Sequence, residues 1–363
     1  MEASGPRPRL RDLGIPIGRF PPGPRNLLTD VGDIRVGHAT LQRPDPIDRA
    51  VCTGVTVILP HGGDLYREKV RAAVHTINGY GKPFGFEQVR ELGTLESPIA
   101  LTNTFNVGLV ADALVELLCE ADPGLGVASD RGSLNVVVGE TNDGWLNHLP
   151  GRAVRVEHVR AALDAARTSG SHRAFDLGSV GAGAGTVCFG WKGGIGSASR
   201  VVPEARGSLL GCVVQSNFGR GDRLVVDGVP VGRYIAPPQR PRTDAGSVMI
   251  VIATDAPLSE RQLRRIAVRS AVGLVRTGSE IGATSGDFVI AFSVARRDPS
   301  PAIDEETELP SLLEAAAEAV EESVLDSLCC ATTTRGRDGH VVPALPGQEI
   351  ADLVRRVQAA GGT

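Results

Sequence analysis

Two short groups of residues could take part in chemistry, and each stands at the start of a predicted strand. Gly246 and Ser247 lie between a Pro- and Arg-rich segment, residues 234–245, and an apolar run. Proline opposes both helix and sheet, so we expect the Gly246–Ser247 peptide bond to be exposed and open to strain. A serine hydroxyl beside such a bond can attack the preceding carbonyl. Ser285 and Asp287 follow further on, and their i, i+2 spacing puts both side chains on one face of an extended segment.

Other common catalytic signatures are missing from the sequence. It contains no HExxH, no GxSxG, no Walker A motif and no correctly spaced GxGxxG. The seven histidines do not cluster, which disfavours metal catalysis and an elbow-type Ser-His-Asp hydrolase. Because Gly-Ser pairs are commonplace, the residues alone favour an ordinary structural role for Ser247.

Length and charge are typical of a soluble globular protein. The 363 residues suffice for one large domain or two ordinary ones. The chain has 38 basic and 42 acidic residues and a formal charge of −4. It lacks a Lys/Arg run long enough to bind nucleic acid or an anionic membrane, so neither partner is expected.

The N-terminal segment, the apolar runs and the cysteines bear on where in the cell the protein is located. The first 26 residues are rich in Pro, Gly and Arg and lack the apolar region of a secretory signal, so residues 1–25 are predicted to be a flexible arm. No run of about eighteen apolar residues could span a bilayer. Six scattered cysteines without a CxxC pattern are typical of buried free thiols, which favours a cytoplasmic protein.

Strands and helices must position these groups. Apolar, β-branched runs predict strands that are covered on both faces, at residues 51–59, 134–139, 209–214, 248–253 and 288–294. Helical periodicity predicts helices at residues 106–120, 156–168, 259–277, 311–328 and 348–359. In the third helix, Ser259 and Gln262 form a capping box, and Leu263, Ile266, Val272 and Val275 are assigned to one face. The elements interleave without strict βαβ alternation, which favours a layered α/β sandwich.

Long motifs give the chain a family resemblance from about residue 26 to its C-terminus. It resembles the L-aminopeptidase/D-esterase-amidases and β-peptidyl aminopeptidases, which are autoprocessed enzymes similar in fold to N-terminal-nucleophile hydrolases. The resemblance therefore implies a layered α-β-β-α sandwich. The motifs that carry it are NLLTDVGDIRVGHATL (26–41), PIALTNTFNVG (98–108), GETNDGWLN (139–147), VCFGWKGGIGSASRV (187–201), QSNFG (215–219), GSVMIVIATDAPL (246–258), RTGSEIGATSGDFVIAFS (276–293) and GRDGHVVPALP (336–346).

The resemblance assigns catalytic roles to four side chains. It implies self-cleavage between Gly246 and Ser247, after which Ser247 is both nucleophile and N-terminus. Its α-amine would titrate near pH 7.7–8.0 in a model peptide and so could accept the hydroxyl proton. Ser285 and Asp287 match the family's Ser-x-acid element, although some relatives have Glu at the acidic position. Asn217 matches the amide of the oxyanion hole, for which an uncharged NH2 donor is suited.

Three further residues are assigned to substrate binding. Glu140 matches the carboxylate that holds the amino group of the substrate. Some family members carry an active-site Tyr nearby, whereas this chain has Asn142 and Trp145. The preference among L-, D- and β-amino acid substrates is therefore left open.

The resemblance also implies how the chain is organised. Residues 26–246 would form the α part and residues 247–363 the β part of one hydrolase domain. The cleaved fragments would stay together and assemble into a homo-oligomer, a tetramer of heterodimers. The substrate would be a small peptide or amide, and no metal or organic cofactor is expected. Two alternatives remain: a specialised amidase or acyl transferase of secondary metabolism with the same nucleophile, and an inactive small-molecule binding homologue.

Overall fold

The computed structural model describes residues 7–170, 172–238, 246–295 and 302–361. Its strands are β1 (Arg35–Arg43), β2 (Val51–Leu59), β3 (Val70–Gly79), β4 (Thr94–Leu95), β5 (Ile99–Asn103), β6 (Val137–Thr141), β7 (Val187–Cys188), β8 (Trp191–Lys192), β9 (Ile195–Val202), β10 (Ser208–Asn217), β11 (Ser247–Thr254), β12 (Gly286–Ser293), β13 (Thr334–Arg335) and β14 (Val341–Val342). The helices are α1 (Phe86–Leu92), α2 (Val107–Ala121), α3 (Val156–Ser169), α4 (Glu260–Arg276), α5 (Leu309–Cys329) and α6 (Gly347–Gly361). All five predicted strands and all five predicted helices are present; the strand at residues 51–59 has its predicted bounds, and the other elements have shifted ends.

Two sheets face each other across a shared apolar core. The first has the strand order β1-β2-β5-β6, and the second has the order β4-β3-β12-β11-β10-β9. Ile58 and Ile99 of the first sheet and Val251 and Ile290 of the second are buried in one cluster between them. Helices α2 and α3 pack on the other face of the first sheet, and α4 and α5 on the other face of the second. The predicted α-β-β-α sandwich is confirmed.

The middle of the second sheet holds the strand that begins at Ser247. Strand β11 pairs antiparallel with β10 and parallel with β12. Every residue of β11 and β12 is buried, as expected for apolar strands covered on both faces. The register places Ser247 opposite Asn217 on one side and opposite Gly286 on the other. Pairing between distant segments therefore brings three parts of the chain to the same end of the second sheet.

Helix α4 begins as predicted but buries a different face. The capping box is present, since Ser259 Oγ accepts a hydrogen bond from the backbone N–H of Gln262 at 3.3 Å. Val272 and Val275, however, are exposed, so their assignment to the buried face is wrong. The face that packs on α5 contains Gly273, where an added Cβ would lie 2.6 Å from a backbone oxygen of α5. Close contact at this glycine turns the two valines outward.

Residues 7–25 are packed against the rest of the chain, which corrects the prediction of a flexible arm there, while residues 1–6 lie outside the described part of the chain. Arg9 forms an ion pair with Asp326 at 2.6 Å, and Arg11 forms one with Glu322 at 2.7 Å. Both acids lie on α5, four residues apart, and both are buried. The apolar side chains of the segment are buried as well: Leu10, Ile15, Ile17 and Phe20. Local composition could not indicate this, because the ionic partners lie about three hundred residues away in sequence.

The cysteine prediction is largely confirmed. All six are free thiols; Cys52, Cys188, Cys212 and Cys329 are buried, whereas Cys119 and Cys330 are partly exposed. No helix in the described ranges is both long and apolar enough to cross a membrane.

Candidate active site

A cleft of about 420 Å³ opens where β6 and β10 end and β11 begins. Six of the predicted site residues line it: Glu140, Asn142, Trp145, Asn217, Gly246 and Ser247. Ser285 and Asp287 are buried but do not belong to the lining, which reaches their loop at Thr284. The fold thus gathers most of the predicted site in one place and holds the Ser-x-Asp element behind it.

The Ser247 hydroxyl is held by two donors. Its Oγ accepts a hydrogen bond from the backbone N–H of Asn142 at 3.0 Å and from Nδ2 of Asn217 at 3.3 Å. Donors of this kind stabilise negative charge on an oxygen. The carbonyl oxygen of Gly246 accepts from the N–H of Gly286 at 3.1 Å. The carbonyl of the bond that precedes Ser247 is therefore polarised, and the Ser247 hydroxyl is one residue away.

The orientation of the Asn217 amide follows from its own hydrogen bonds. Its Oδ1 accepts from the Val187 N–H at 3.0 Å, which leaves Nδ2 directed towards Ser247. Antiparallel pairing of β10 with β11 sets the two side chains opposite each other. An uncharged NH2 group beside the hydroxyl is suited to stabilising an oxyanion.

Ser285 and Asp287 form a buried pair, as their spacing predicts. Ser285 Oγ donates to Asp287 Oδ1 at 2.6 Å. Within the described chain, Asp287 Oδ2 is buried without a hydrogen-bond partner. Burial raises the pKa of Asp287 to about 6, although the bond from Ser285 opposes the rise. Asn78 donates to the Ser285 carbonyl and so ties this turn to the end of β3.

Asp287 lies close to Ser247 in the register of β11 and β12. Its partner in β11 is Val248, the residue after Ser247. In the uncleaved chain the Ser247 nitrogen is an amide and carries no charge. An amine formed at that nitrogen would bring a cation to this end of β11, where the buried carboxylate is unpaired.

Glu140 is the penultimate residue of β6, and its side chain is buried at the wall of the cleft. Its Oε1 accepts from the backbone N–H of Lys82 at 3.1 Å. Its Oε2 is buried and has no hydrogen-bond partner among the described residues. Burial raises the pKa of Glu140, and the nearby Lys82 ammonium opposes this. An unpaired carboxylate oxygen beside a cleft is suited to bind a ligand ammonium.

Asn142 and Trp145 occupy the turn after β6. The described contact of Asn142 with Ser247 Oγ is through its backbone N–H, and its side-chain Oδ1 accepts from the Gly144 N–H at 2.9 Å. The Trp145 ring stacks on His340 with a centroid distance of 3.8 Å. The indole thus forms one wall of the cleft, and the His340 ring packs against it.

Tyr80, Lys82 and Thr104 also line the cleft and were not singled out in the sequence. Thr104 lies in the motif at residues 98–108, so a signal was available for it. Tyr80 and Lys82 follow β3, a strand whose pattern is mixed and which was not predicted. Nothing in the local sequence marks either of them as part of a site.

Grouped metal ligands do not occur in the described ranges: no three His, Cys, Asp or Glu side chains are arranged to hold an ion.

The chain is similar to known proteins over most of its length. The model of peptidase family S58 matches residues 26–342. The β-peptidyl aminopeptidase BapA of Sphingosinicella microcystinivorans is 37% identical, with 98% of this chain and 93% of the relative covered. Among solved structures, the PH0078 protein of Pyrococcus horikoshii is 43% identical with a TM-score of 0.88, covering 97% of this chain and 99% of the other.

A third relative connects the fold to a known architecture. The L-aminopeptidase D-Ala-esterase/amidase of Ochrobactrum anthropi is 34% identical, with a TM-score of 0.87 over 97% of this chain and 99% of that one. Its structure is described as a new variant of the Ntn hydrolase fold and as a prototype for the serine aminopeptidases. The present chain has the same fold.

Proposed function

The chain belongs to peptidase family S58, and from that premise we propose that it cuts itself between Gly246 and Ser247 and then acts through Ser247. It is a serine-type aminopeptidase or amidase of the N-terminal-nucleophile kind. The names of its relatives support short peptides, amides and esters as substrates, with L-, D- or β-amino acids at the N-terminus. One observation carries the residue assignment: the Ser247 hydroxyl lies in the cleft, between two N–H donors and beside a polarised carbonyl.

Maturation is proposed to begin with attack of Ser247 Oγ on the Gly246 carbonyl carbon. The C–N bond breaks, the Ser247 nitrogen takes the proton, and an ester joins Gly246 to Oγ. The N–H of Gly286 supports this step, because it donates to the carbonyl oxygen on which negative charge develops. Water then hydrolyses the ester, which leaves a carboxylate on Gly246 and a free amine and hydroxyl on Ser247.

Turnover uses the amine that maturation creates. The Ser247 α-amine takes the proton from its own hydroxyl, and Oγ attacks the substrate carbonyl. The Asn142 N–H and the Asn217 amide now face Oγ, and we assign them to the developing oxyanion. The leaving amine takes the proton, and water then releases the acyl group from Oγ. Asp287, with its unpaired oxygen, stabilises the ammonium, and Ser285 orients the carboxylate.

Substrate recognition is assigned to Glu140. Its buried Oε2 has no partner in the described chain, so a substrate ammonium would satisfy it. This explains why a free amino group would be required, and Trp145 and Asn142 would shape the rest of the cleft.

Electrophoresis of the purified protein under denaturing conditions tests the assignment. Wild type should give fragments of 246 and 117 residues, the smaller beginning Ser-Val-Met-Ile. Ser247→Ala removes the hydroxyl with little change in packing and should give one folded, inactive chain. An intact wild-type chain with full activity, or an active Ser247→Ala variant, would overturn the nucleophile assignment.

Organisation and location belong to the same proposal. Residues 26–246 and 247–363 would be the α and β parts of one domain, assembled as a homo-oligomer of heterodimers. The six free cysteines support a reducing, cytoplasmic location. Size-exclusion chromatography with light scattering would measure the assembly.

A further inference from the structure

The cleft around Ser247 carries one positive side chain among its described lining residues, Lys82, and the proposed chemistry does not use it. Its side chain is 62% exposed. Nζ donates to Thr104 Oγ1 at 2.9 Å but lies 3.9 Å from Glu140 Oε1, which is too far for a hydrogen bond. An ammonium has three N–H donors. In the described part of the chain two of them are thus available to a ligand.

The two carboxylate oxygens of Glu140 differ in their surroundings. Oε1 accepts the Lys82 backbone N–H, and the Lys82 ammonium lies on the same side. Oε2 is the unpartnered oxygen. A substrate ammonium bound there would place a second cation on the same carboxylate. A negative group on the substrate, next to its ammonium, would remove that repulsion and satisfy the lysine.

We propose that Lys82 binds a carboxylate carried by the N-terminal residue of the substrate, so that aspartyl peptides and amides are preferred. The inference rests on the proposed function, because Glu140 must hold the amine. In an aspartyl residue the free carboxyl group is attached either to the carbon that bears the amine or to the next one, depending on whether the scissile bond is β- or α-linked. In both linkages the ammonium can reach Glu140 while the carboxylate reaches Lys82. Thr104 holds the lysine in place for this contact.

Four p-nitroanilides test the proposal with charge as the only variable. The α-linked pair is aspartyl and asparaginyl anilide, and the β-linked pair is β-aspartyl anilide with a free α-carboxylate or with an α-carboxamide. Wild type should show a higher kcat/KM for the acidic member of at least one pair, which identifies the linkage. Lys82→Met should lower that acid-to-amide ratio roughly ten- to hundredfold, as expected for a lost charged hydrogen bond. Lys82→Arg is the matched control and should retain most of the ratio.

The outcomes separate this inference from the function on which it rests. If wild type and Lys82→Met hydrolyse the substrates and show the same ratio of kcat/KM between the acidic and amide members of each pair, the carboxylate site is wrong and the aminopeptidase assignment stands. If matured wild type hydrolyses none of the four, both fall. A second measurement needs no variant: free L-aspartate should inhibit wild-type hydrolysis of an uncharged substrate at least tenfold more strongly than L-asparagine. Equal inhibition would also reject the site.

Discussion

Replacing Asp287 by Asn in the Ser247→Ala background should stabilise the uncleaved chain at neutral pH. Burial raises the pKa of Asp287 from its ordinary 3.8 to about 6, since one carboxylate oxygen is unpaired in the described chain. Each tenfold change in proton affinity corresponds to about 1.4 kcal/mol, so ionising this group in the fold costs about 3 kcal/mol. The Asn side chain has nearly the same shape and can still accept the bond from Ser285.

The sign of the pH dependence follows from the raised pKa. Below pH 3.8 the carboxyl is neutral in the folded and unfolded chains, and it costs nothing. Between pH 3.8 and about 6 the unfolded chain ionises first, so the stability of the Asp287 chain falls as pH rises. Above about pH 6 the loss of folding stability no longer changes with pH. The advantage of the Asn variant should therefore grow by up to about 3 kcal/mol between pH 4 and pH 7.

Thermal unfolding of the two uncleaved proteins across this pH range measures the effect. The buried Asn NH2 group adds its own cost, about 1–3 kcal/mol, but that cost does not depend on pH. The pH-dependent part of the difference in melting temperature is thus the quantity to compare. Asp48→Asn, the same substitution at an exposed site, is the control. A difference in melting temperature that does not change with pH for Asp287→Asn would refute the reasoning. In the cleavable chain the same substitution should impair turnover more than folding, because the Ser247 ammonium loses its counter-ion.

Three further outcomes are expected. Glu140→Gln should raise KM about ten- to hundredfold for substrates with a free amine and much less for N-blocked esters; equal effects in a steady-state comparison would reject its recognition role. Chelators should leave activity unchanged, since no zinc-type ligand spacing occurs in the sequence; inhibition reversed by added metal would contradict this. Arg200→Met should destabilise the uncleaved chain by about 3–5 kcal/mol, because it removes the buried cation that pairs with Glu318 and leaves Glu322 with the partly exposed Arg11. An unchanged melting temperature would contradict this prediction.

Local pattern was sufficient for the central strands and the long helices. Continuous apolar runs such as residues 248–253 can be satisfied only by burial on both faces, so their structure follows from their composition. The pattern was insufficient for β1, β3 and β9, where polar and apolar residues mix. It also failed for residues 7–25, whose packing depends on acids far along the chain.

The site residues also divide into contacts that a local pattern predicts and contacts that it does not. Ser285 and Asp287 are two residues apart, so their contact could be anticipated from spacing, and it is present. The approach of Asn217 to Ser247 depends on the register between β10 and β11, which no local pattern specifies. The resemblance to a known family supplied that pairing in advance. It did not indicate Lys82, which comes to the cleft only because β3 ends beside β12.

Cleavage at Ser247 would separate chain segments that remain joined by the fold. The bond lies at the first residue of β11, and that strand pairs along its whole length with β10 from the other fragment. Strand β12 pairs with β3 in the same way, and α5 holds the N-terminal segment through Arg9 and Arg11. Separating the two fragments would expose these apolar strands to water. The unfavourable free energy of that exposure keeps the fragments together without the peptide bond. The new amine would therefore stay in the cleft with the Ser247 hydroxyl, where the proposed mechanism requires it.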